Sequence, residues 1–444
     1  MKRPKPINPA RVMVVGFIGL IIAGSLLLSL PAARVAGELS YLDALFTAAS
    51  AVCVTGLVVV DTGTFYSIFG QTVIMILIFF GALGIMIMTT LIFIFLGRRI
   101  TLRRSLIIKE ITGQDSLGRI SQLVLNVFLM TVFFVLIGTI MLSLRYIPLL
   151  GLHHGFFVAL FHAISAFGNA GFDLLGSYNS LTVHPADYLV NGTILVLFVI
   201  GGLGFTVILE LVNHLQFRHR ISLHSYLVLS SSVALLLGGT LLIMVLEYNN
   251  PETLGNLTFL DKIFTSLFSA ATPRTAGFSV LKTELMNNST LLLIMVLMFI
   301  GASPTSTGGG VKTTTVGVVL ITLINMIRGR REPFIYYRRF PLDQIMRAVS
   351  IISAAMILIF IATLLLTIFE KGDFISLLFE AISAFGTVGL STGITPQLSD
   401  PSKMVIIFTM LGGRVGPLSL LMALAWRKEA DGLLRYPEEN LMIG

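Results

Sequence analysis

The segment Phe379–Ser391 lies between two apolar runs that can each cross a bilayer, yet it is too short to cross one itself. A crossing takes about 20 apolar residues. The segment starts as a helix-compatible run and ends in Thr387-Val388-Gly389, a β-branched pair followed by glycine. Irregular backbone survives at membrane depth only where protein or a watery path satisfies its polar groups. Taken alone, such a segment is a re-entrant turn. The chain, however, contains it four times. Aligned on the last glycine, the copies are Phe46–Gly56, Phe161–Gly171, Leu267–Gly277 and Phe379–Gly389. Their glycines are 115, 106 and 112 residues apart. A period of that size marks one supersecondary unit used four times.

The flanking runs complete the unit. Repeat one reads Val12–Leu30, Tyr41–Gly56, Ile68–Leu96, and repeat two reads Leu123–Leu144, Phe156–Gly171, Tyr188–Leu215. Repeat three reads Tyr226–Leu246, Phe259–Gly277, Leu291–Met326, and repeat four reads Ile345–Phe369, Ile375–Gly389, Met404–Trp426. The expected repeat boundaries are 1–110, 111–222, 223–340 and 341–444. Each repeat is a helix, a half-helix with a loop, and a helix. The fold class is therefore an all-α polytopic membrane protein, four tandem helix–pore-helix–helix units around a central pore. Lys2, Arg3 and Lys5 before Val12–Leu30 resemble a signal peptide. That run also supplies the first helix of repeat one, so it is expected to be a span.

Composition excludes other classes. With 55% hydrophobic and 12% charged residues among 444, the chain does not read as a soluble domain. A net charge of +8 raises nucleic acid as a partner. The basic residues instead sit in short loops between apolar runs. Of 30 Lys and Arg, 21 fall in the N-terminal tail, the loops after the second spans (counting Arg347 at the start of the Ile345–Phe369 run with them), and the C-terminal tail. The positive-inside bias then places both termini in the cytoplasm and the half-helix loops outside, at the cell membrane. The single Cys53 excludes an internal disulfide and a cysteine metal cluster. No Gly-x-x-x-x-Gly-Lys-Ser/Thr loop is present, so ATP hydrolysis and an organic cofactor are not expected in this chain.

The repeated tripeptides carry the chemistry. They are Val54-Thr55-Gly56, Asn169-Ala170-Gly171, Thr275-Ala276-Gly277 and Thr387-Val388-Gly389. Glycine lets the backbone take positive φ. A short strand whose carbonyls face one axis replaces the water shell of a dehydrated cation. The half-helix before it points its negative end at the same place. Four such units around an axis make a K⁺-type filter without a charged ligand. Among other signals, Asp61 and Asp173 follow the first two tripeptides and are candidates for raising cation concentration at the outer mouth. Thr47, His162, Phe268 and Glu380 share one aligned position, whose variety points to local structural roles. Arg274, two residues before Ala276, is expected to point behind the filter.

The second spans carry Gly81-Ala82-Leu83-Gly84, Gly201-Gly202-Leu203-Gly204 and Gly412-Gly413-Arg414-Val415. The first two read as helix packing through small residues. Repeat three instead has Gly301-Ala302-Ser303-Pro304-Thr305-Ser306-Thr307-Gly308-Gly309-Gly310. That run breaks a helix in mid-membrane and suits an irregular loop inside a pore, residues 301–312. Arg414 lies mid-span, where an unpaired guanidinium costs at least about 3 kcal/mol. It is expected to face the pore and pair with carbonyls of the Gly308–Gly310 loop. Lys312 is expected just below that loop.

The pattern resembles the Trk/Ktr/HKT superfamily of potassium transporters, closest to its bacterial Ktr-type membrane subunit. The likeness covers essentially the whole chain. It implies a subunit resembling a tetrameric potassium channel, with the filter glycines at Gly56, Gly171, Gly277 and Gly389. In some plant relatives the first glycine becomes serine, which goes with sodium preference; here Gly56 is retained. The resemblance implies K⁺ as the transported ion with Na⁺ as a further ion, an intramembrane gate at Gly308, Gly309, Gly310, Lys312 and Arg414, a homodimer in membrane lipid, and a cytosolic ring of nucleotide-binding (RCK-type) regulatory subunits. The basic loops at 98–109, 218–220 and 328–339 are candidate docking surfaces. Two other readings stand beside it: a sodium-selective or non-selective cation transporter, and a membrane-embedded enzyme. The intramembrane charges Arg414, Lys312 and Glu210 form no recognisable catalytic set.

Overall fold

The structure is a computed structural model, and it describes residues 9–35, 37–84, 87, 120–183, 187–218, 220–330, 334–335 and 338–424. The basic loop 98–109, the far end of the Ile68–Leu96 run and the C-terminal Arg427-Lys428 lie outside the described residues. The described chain is helical apart from loops and one short antiparallel pair, β1 (Phe334–Ile335) with β2 (Arg338–Arg339).

Four sets of helices follow one another. The first holds α1 (Pro9–Leu28), α2 (Tyr41–Cys53), a one-turn α3 (Thr62–Phe65) and α4 (Ile68–Leu83). The second holds α5 (Ile120–Leu150), α6 (Leu152–Gly168), α7 (Tyr188–Leu203) and α8 (Phe205–Phe217). The third holds α9 (Leu223–Glu247), α10 (Phe259–Ala271), α11 (Asn288–Phe299) and α12 (Thr313–Ile327). The fourth holds α13 (Leu342–Phe369), α14 (Phe374–Gly386), α15 (Asp400–Val415) and α16 (Pro417–Leu424).

The leading helices α1, α5, α9 and α13 are apolar on every face and long enough to cross a membrane. Their outward residues, among them Leu237, Leu241 and Val245 on α9 and Met356, Ile357 and Phe360 on α13, are exposed. A helix that is greasy all round and exposed on one side faces lipid rather than water. The half-helices α2, α10 and α14 are 13 residues each, about 20 Å by helical rise, and stop short of a crossing. Capping fixes where they begin. Ser40, Thr258 and Asp373 accept from the first-turn amides of Asp43, Asp261 and Ile375.

The apolar helix after the half-helix in each set packs on the half-helix of the next: α4 on α6, α7 on α10, α11 on α14, and α15 back on α2. That last contact closes four sets into a ring. One large apolar cluster joins α5–α7 to the third set and reaches Leu83 and Leu390, and another joins the first set to the fourth, from Val14 to Ala423.

One expectation needs correction. The runs Tyr188–Leu215 and Met404–Trp426 are not straight spans. The chain bends by 96° between α7 and α8, and by 101° between α15 and α16. Each break sits on a glycine at positive φ, Gly204 (96°) and Gly416 (94°), and α4 ends the same way at Gly84 (80°). The small-residue runs do two jobs. Gly81, Gly201 and Gly413 pack, because a Cβ there would stand 2.2, 2.2 and 1.8 Å from the carbonyl oxygens of Val52, Phe167 and Phe385. Three residues later Gly84 ends α4, and Gly204 and Gly416 break the helix. In the third set Gly301 packs against the Gly309 carbonyl, and Pro304 stands where the breaking glycine would be.

Candidate functional site

The four tripeptides meet at the centre of the ring. Each half-helix stops because its next residue turns left-handed: Val54, Asn169 and Thr387 have φ of 58°, 59° and 51°. Thr275 does the same one turn later in the third set, at 73°. Left-handed backbone is uncommon for β-branched residues, so surrounding contacts must hold it. The middle amides fold back onto the half-helices. Thr55 N donates to Ser50 O at 2.8 Å, Ala170 N to Ser165 O at 2.8 Å, Ala276 N to Thr272 O at 2.9 Å, and Val388 N to Ser383 O at 2.9 Å. That turns the middle carbonyls away from the helices. Among the described residues, nothing donates to the oxygens of Thr55, Ala170, Ala276 or Val388.

The glycines show where those oxygens go. Gly56, Gly171, Gly277 and Gly389 all have positive φ, at 92°, 70°, 77° and 90°. A Cβ on Gly56 would stand 2.5 Å from Ala170 O, and one on Gly171 would stand 3.0 Å from Ala276 O. A Cβ on Gly277 would stand 2.4 Å from Val388 O, and one on Gly389 would stand 2.2 Å from Thr55 O. Every glycine thus makes room for the next unit's middle carbonyl, and the fourth makes room for the first. The result is a closed ring in which each glycine lies against the middle carbonyl of the next unit.

A cavity of about 530 Å³ opens on one side of the ring. Gly56, Gly171, Gly277 and Gly389 form its floor, and Asp61, Asp173 and Glu284 line it together with Lys282. Asp61 is partly committed: it caps α3 through Thr64 N at 2.8 Å and accepts from Tyr178 N at 2.8 Å. Asp173 accepts from Leu175 N at 3.0 Å, and burial pushes its carboxyl up to about 6.

The segment 300–312 lies against the other side of the ring. Gly309 N donates to Thr387 Oγ1 at 3.1 Å, and Thr307 Oγ1 donates to Asn169 Oδ1 at 3.0 Å. A Cβ on Gly308 would stand 2.0 Å from Thr275 Oγ1, and one on Gly309 would stand 2.4 Å from Thr387 Oγ1. Only glycine fits so close beneath the tripeptides. Further bonds tie the segment to its neighbours: Ser303 N to Gly202 O at 3.1 Å, Phe205 N to Thr305 O at 3.0 Å, and Gly310 N to Gly413 O at 3.2 Å. The Arg414 guanidinium donates to the carbonyls of Thr307 and Gly81, and Lys312 Nζ donates to Gly308 O at 2.6 Å. The arginine therefore reaches the carbonyl just before Gly308–Gly310, and it also grips the end of α4. Arg274 turns away from the ring, its Nη2 donating to Ser232 Oγ at 3.0 Å.

Sequence reasoning missed the side chains that hold the tripeptides in shape. Ser50 Oγ accepts from Gly56 N at 3.1 Å, Ser165 Oγ donates to Phe172 O at 2.7 Å, and Thr272 Oγ1 donates to Phe278 O at 2.5 Å. A hydroxyl near the end of each half-helix was the available signal. The aligned position Thr47, His162, Glu380 proves to be a second set of ties. Thr47 accepts from Tyr66 Oη at 3.1 Å, His162 Nε2 from Leu174 N at 3.4 Å, and Glu380 from Ser391 Oγ at 3.0 Å.

The comparisons with known proteins agree with this geometry. The TrkH family, described as cation transport protein, matches residues 15–436. The chain belongs to the TrkH family of cation transport proteins. It is a multi-pass membrane transporter, not an enzyme. Among TrkH-family relatives, Ktr system potassium uptake protein B of Bacillus subtilis is 42% identical over 437 residues, covering 98% of this chain and 97% of that one. The protein of the same name from Vibrio alginolyticus is 38% identical, covering 98% and 94%. The potassium/sodium uptake protein NtpJ of Enterococcus hirae is 36% identical, covering 99% and 98%. The crystal structure of the potassium transporter TrkH from Vibrio parahaemolyticus shares the fold, with a TM-score of 0.75 at 19% identity, covering 96% of this chain and 87% of that one.

Proposed function

We propose that this TrkH-family chain takes up K⁺ across the cell membrane as the ion-translocating subunit of a Ktr-type system. The closed ring in which each glycine admits the next unit's carbonyl carries the proposal. Val54–Gly56, Asn169–Gly171, Thr275–Gly277 and Thr387–Gly389 form the selectivity filter, one strand from each repeat of 1–110, 111–222, 223–340 and 341–444. Their uncommitted carbonyls replace the hydration shell of a dehydrated cation. K⁺ enters from the acidic cavity, which faces outside, and both termini are cytoplasmic. The intramembrane loop, fastened by Lys312 and Arg414, is the gate.

The names of the relatives support the ion and the partner. Two of them belong to a potassium uptake system, which points to an assembly of more than one kind of subunit. A homodimer bearing a cytosolic nucleotide-binding ring fits that description. The relative named for potassium and sodium together favours a second reading, in which Na⁺ also passes or drives uptake.

The test is Rb⁺ and Na⁺ uptake by purified full-length protein in liposomes, for wild type beside Gly389→Ser. A side chain at Gly389 strikes the Thr55 carbonyl. Wild type is expected to favour Rb⁺, and the variant to lose about tenfold or more of that preference, the scale of one lost charged contact. Unchanged rate and preference would mean that the filter lies elsewhere. Equal wild-type uptake of both ions would select the second reading.

A further inference from the structure

We propose that Glu380 is a positioning residue for the strand Thr387–Gly389, and that its carboxylate sets how well this quarter of the ring separates K⁺ from Na⁺. The inference rests on the strand being part of a K⁺ filter.

The fourth unit is built differently from the other three. In the first, second and third, a hydroxyl near the end of the half-helix holds the chain at or just after the glycine: Ser50 to Gly56, Ser165 to Phe172, Thr272 to Phe278. The matching residue of the fourth unit is Ser383. Its Oγ is buried and has no hydrogen-bond partner among the described residues. The tie that remains comes from Glu380, which is 0% exposed. It accepts from Ser391 Oγ at 3.0 Å and from the Thr395 hydroxyl. Ser391 in turn accepts from Gly393 N at 3.0 Å, and its Oγ lies 2.9 Å from that of Thr395. One carboxylate thus organises the exit from Gly389 through residue 395.

Two arguments make this more than packing. A buried carboxylate is expensive unless its oxygens are satisfied, so an apolar residue would fill the same space at lower cost. Phe268 shows this, occupying the aligned position in the third unit. The fourth strand is also held from the opposite side, since Thr387 Oγ1 accepts from Gly309 N at 3.1 Å. Glu380 fixes one end and the intramembrane loop fixes the other. The oxygen of Val388, between these anchors, meets the face of Gly277, so a shift of this strand passes to the third.

The experiment is Rb⁺ and Na⁺ uptake by the full-length protein in liposomes, with Glu380→Gln, Glu380→Ala and the double variant Ser391→Ala/Thr395→Val. The amide of Glu380→Gln keeps an oxygen for Thr395, so its Rb⁺ to Na⁺ preference is expected within about threefold of wild type. Glu380→Ala is expected to lose about tenfold, the scale of leaving buried hydroxyls without their partner. The double variant is expected to move the same way, and it serves as the test if Glu380→Ala does not fold. A merely structural carboxylate would lower yield or total uptake and leave the preference alone. Wild-type preference in folded Glu380→Ala, or in the double variant, overturns the proposal. Gly389→Ser run alongside separates the two failures. If Gly389→Ser loses preference while the Glu380 set keeps it, the filter stands and this role falls. If neither changes it, both fall.

Discussion

At the scale of the residue, this protein is governed by glycines that are not interchangeable. Some meet backbone and some meet nothing. A Cβ on Gly413 would stand 1.8 Å from the Phe385 carbonyl, inside two rigid elements that cannot separate without opening the ring. A Cβ on Gly238, on the exposed face of α9, would meet nothing within 4 Å. Gly413→Ala is therefore expected to destabilise by about 3 kcal/mol or more, as backbone overpacking does. Gly238→Ala is expected to gain about 0.5–1 kcal/mol, because alanine suits a helix interior better than glycine. Thermal unfolding of the two variants in detergent checks the contrast, and equal midpoints would refute it. The sequence made the ring glycines legible, since four copies at one place in four units cannot be chance packing. It did not make this distinction legible. Gly81, Gly84, Gly201 and Gly204 share a spacing of packing and breaking glycines, yet one-letter text carries no φ and no distance to a carbonyl. Reading them only as packing captured the first glycine of each pair and overlooked the helix end at the second.

At the scale of the element, the units were legible and their interruptions were not. The three-part pattern followed from run lengths alone, and the half-helices lie within a few residues of where the apolar runs placed them. α6 starts earlier, at Leu152, because Gly151 opens it at φ 82° where no side-chain cap marks the boundary. The interruption that was legible is the loop 301–312, whose glycines and proline are incompatible with a helix. Its fastening is asymmetric. Arg414 bridges the loop carbonyl of Thr307 to that of Gly81 at the end of α4, so one cation joins three of the four units. Removing it frees the loop without touching a carbonyl of the ring. Arg414→Ala is expected to raise the Rb⁺ uptake rate about 3- to 10-fold, the scale of one charged hydrogen bond, with the Rb⁺ to Na⁺ preference unchanged. Gly308→Ala should act in the same direction, because its Cβ would collide with Thr275 Oγ1 and push the loop off the ring. Initial rates in liposomes at fixed membrane potential measure both. Wild-type flux with relaxed preference in Arg414→Ala would place the arginine in the filter, not the gate.

At the scale of the whole molecule, the protein carries +8 overall yet presents acids where a cation would enter. On the positive-inside reading, the overall charge belongs to the loops that orient the chain. The field that matters at the mouth is local, set by Asp61, Asp173 and Glu284 against Lys282 around a cavity of about 530 Å³. Asp173 is the member that titrates near neutrality. Burial is the main cause, its bond from Leu175 N opposes the shift, and the neighbouring Asp61 adds to it, leaving the carboxyl at about 6. The folded value lies above that of a free aspartate, so the fold favours the protonated form. Its stability contribution improves as pH falls through about 6 and worsens as pH rises. Entry runs the opposite way. With the cavity facing outside, as proposed, Asp173 is charged at an outer pH of about 7.5 and would attract K⁺; at about pH 5 it is largely neutral. One charge several ångströms from the path, screened by water, changes local cation concentration about threefold. Rb⁺ uptake at subsaturating concentration should therefore fall about threefold as outer pH drops across this range, with a midpoint near the Asp173 value. Asp173→Asn should show the low rate throughout and lose the step. If the step persists in Asp173→Asn, another group at the mouth carries it. If wild type shows no step, the acidic wall is structural and the ring alone draws the ion in.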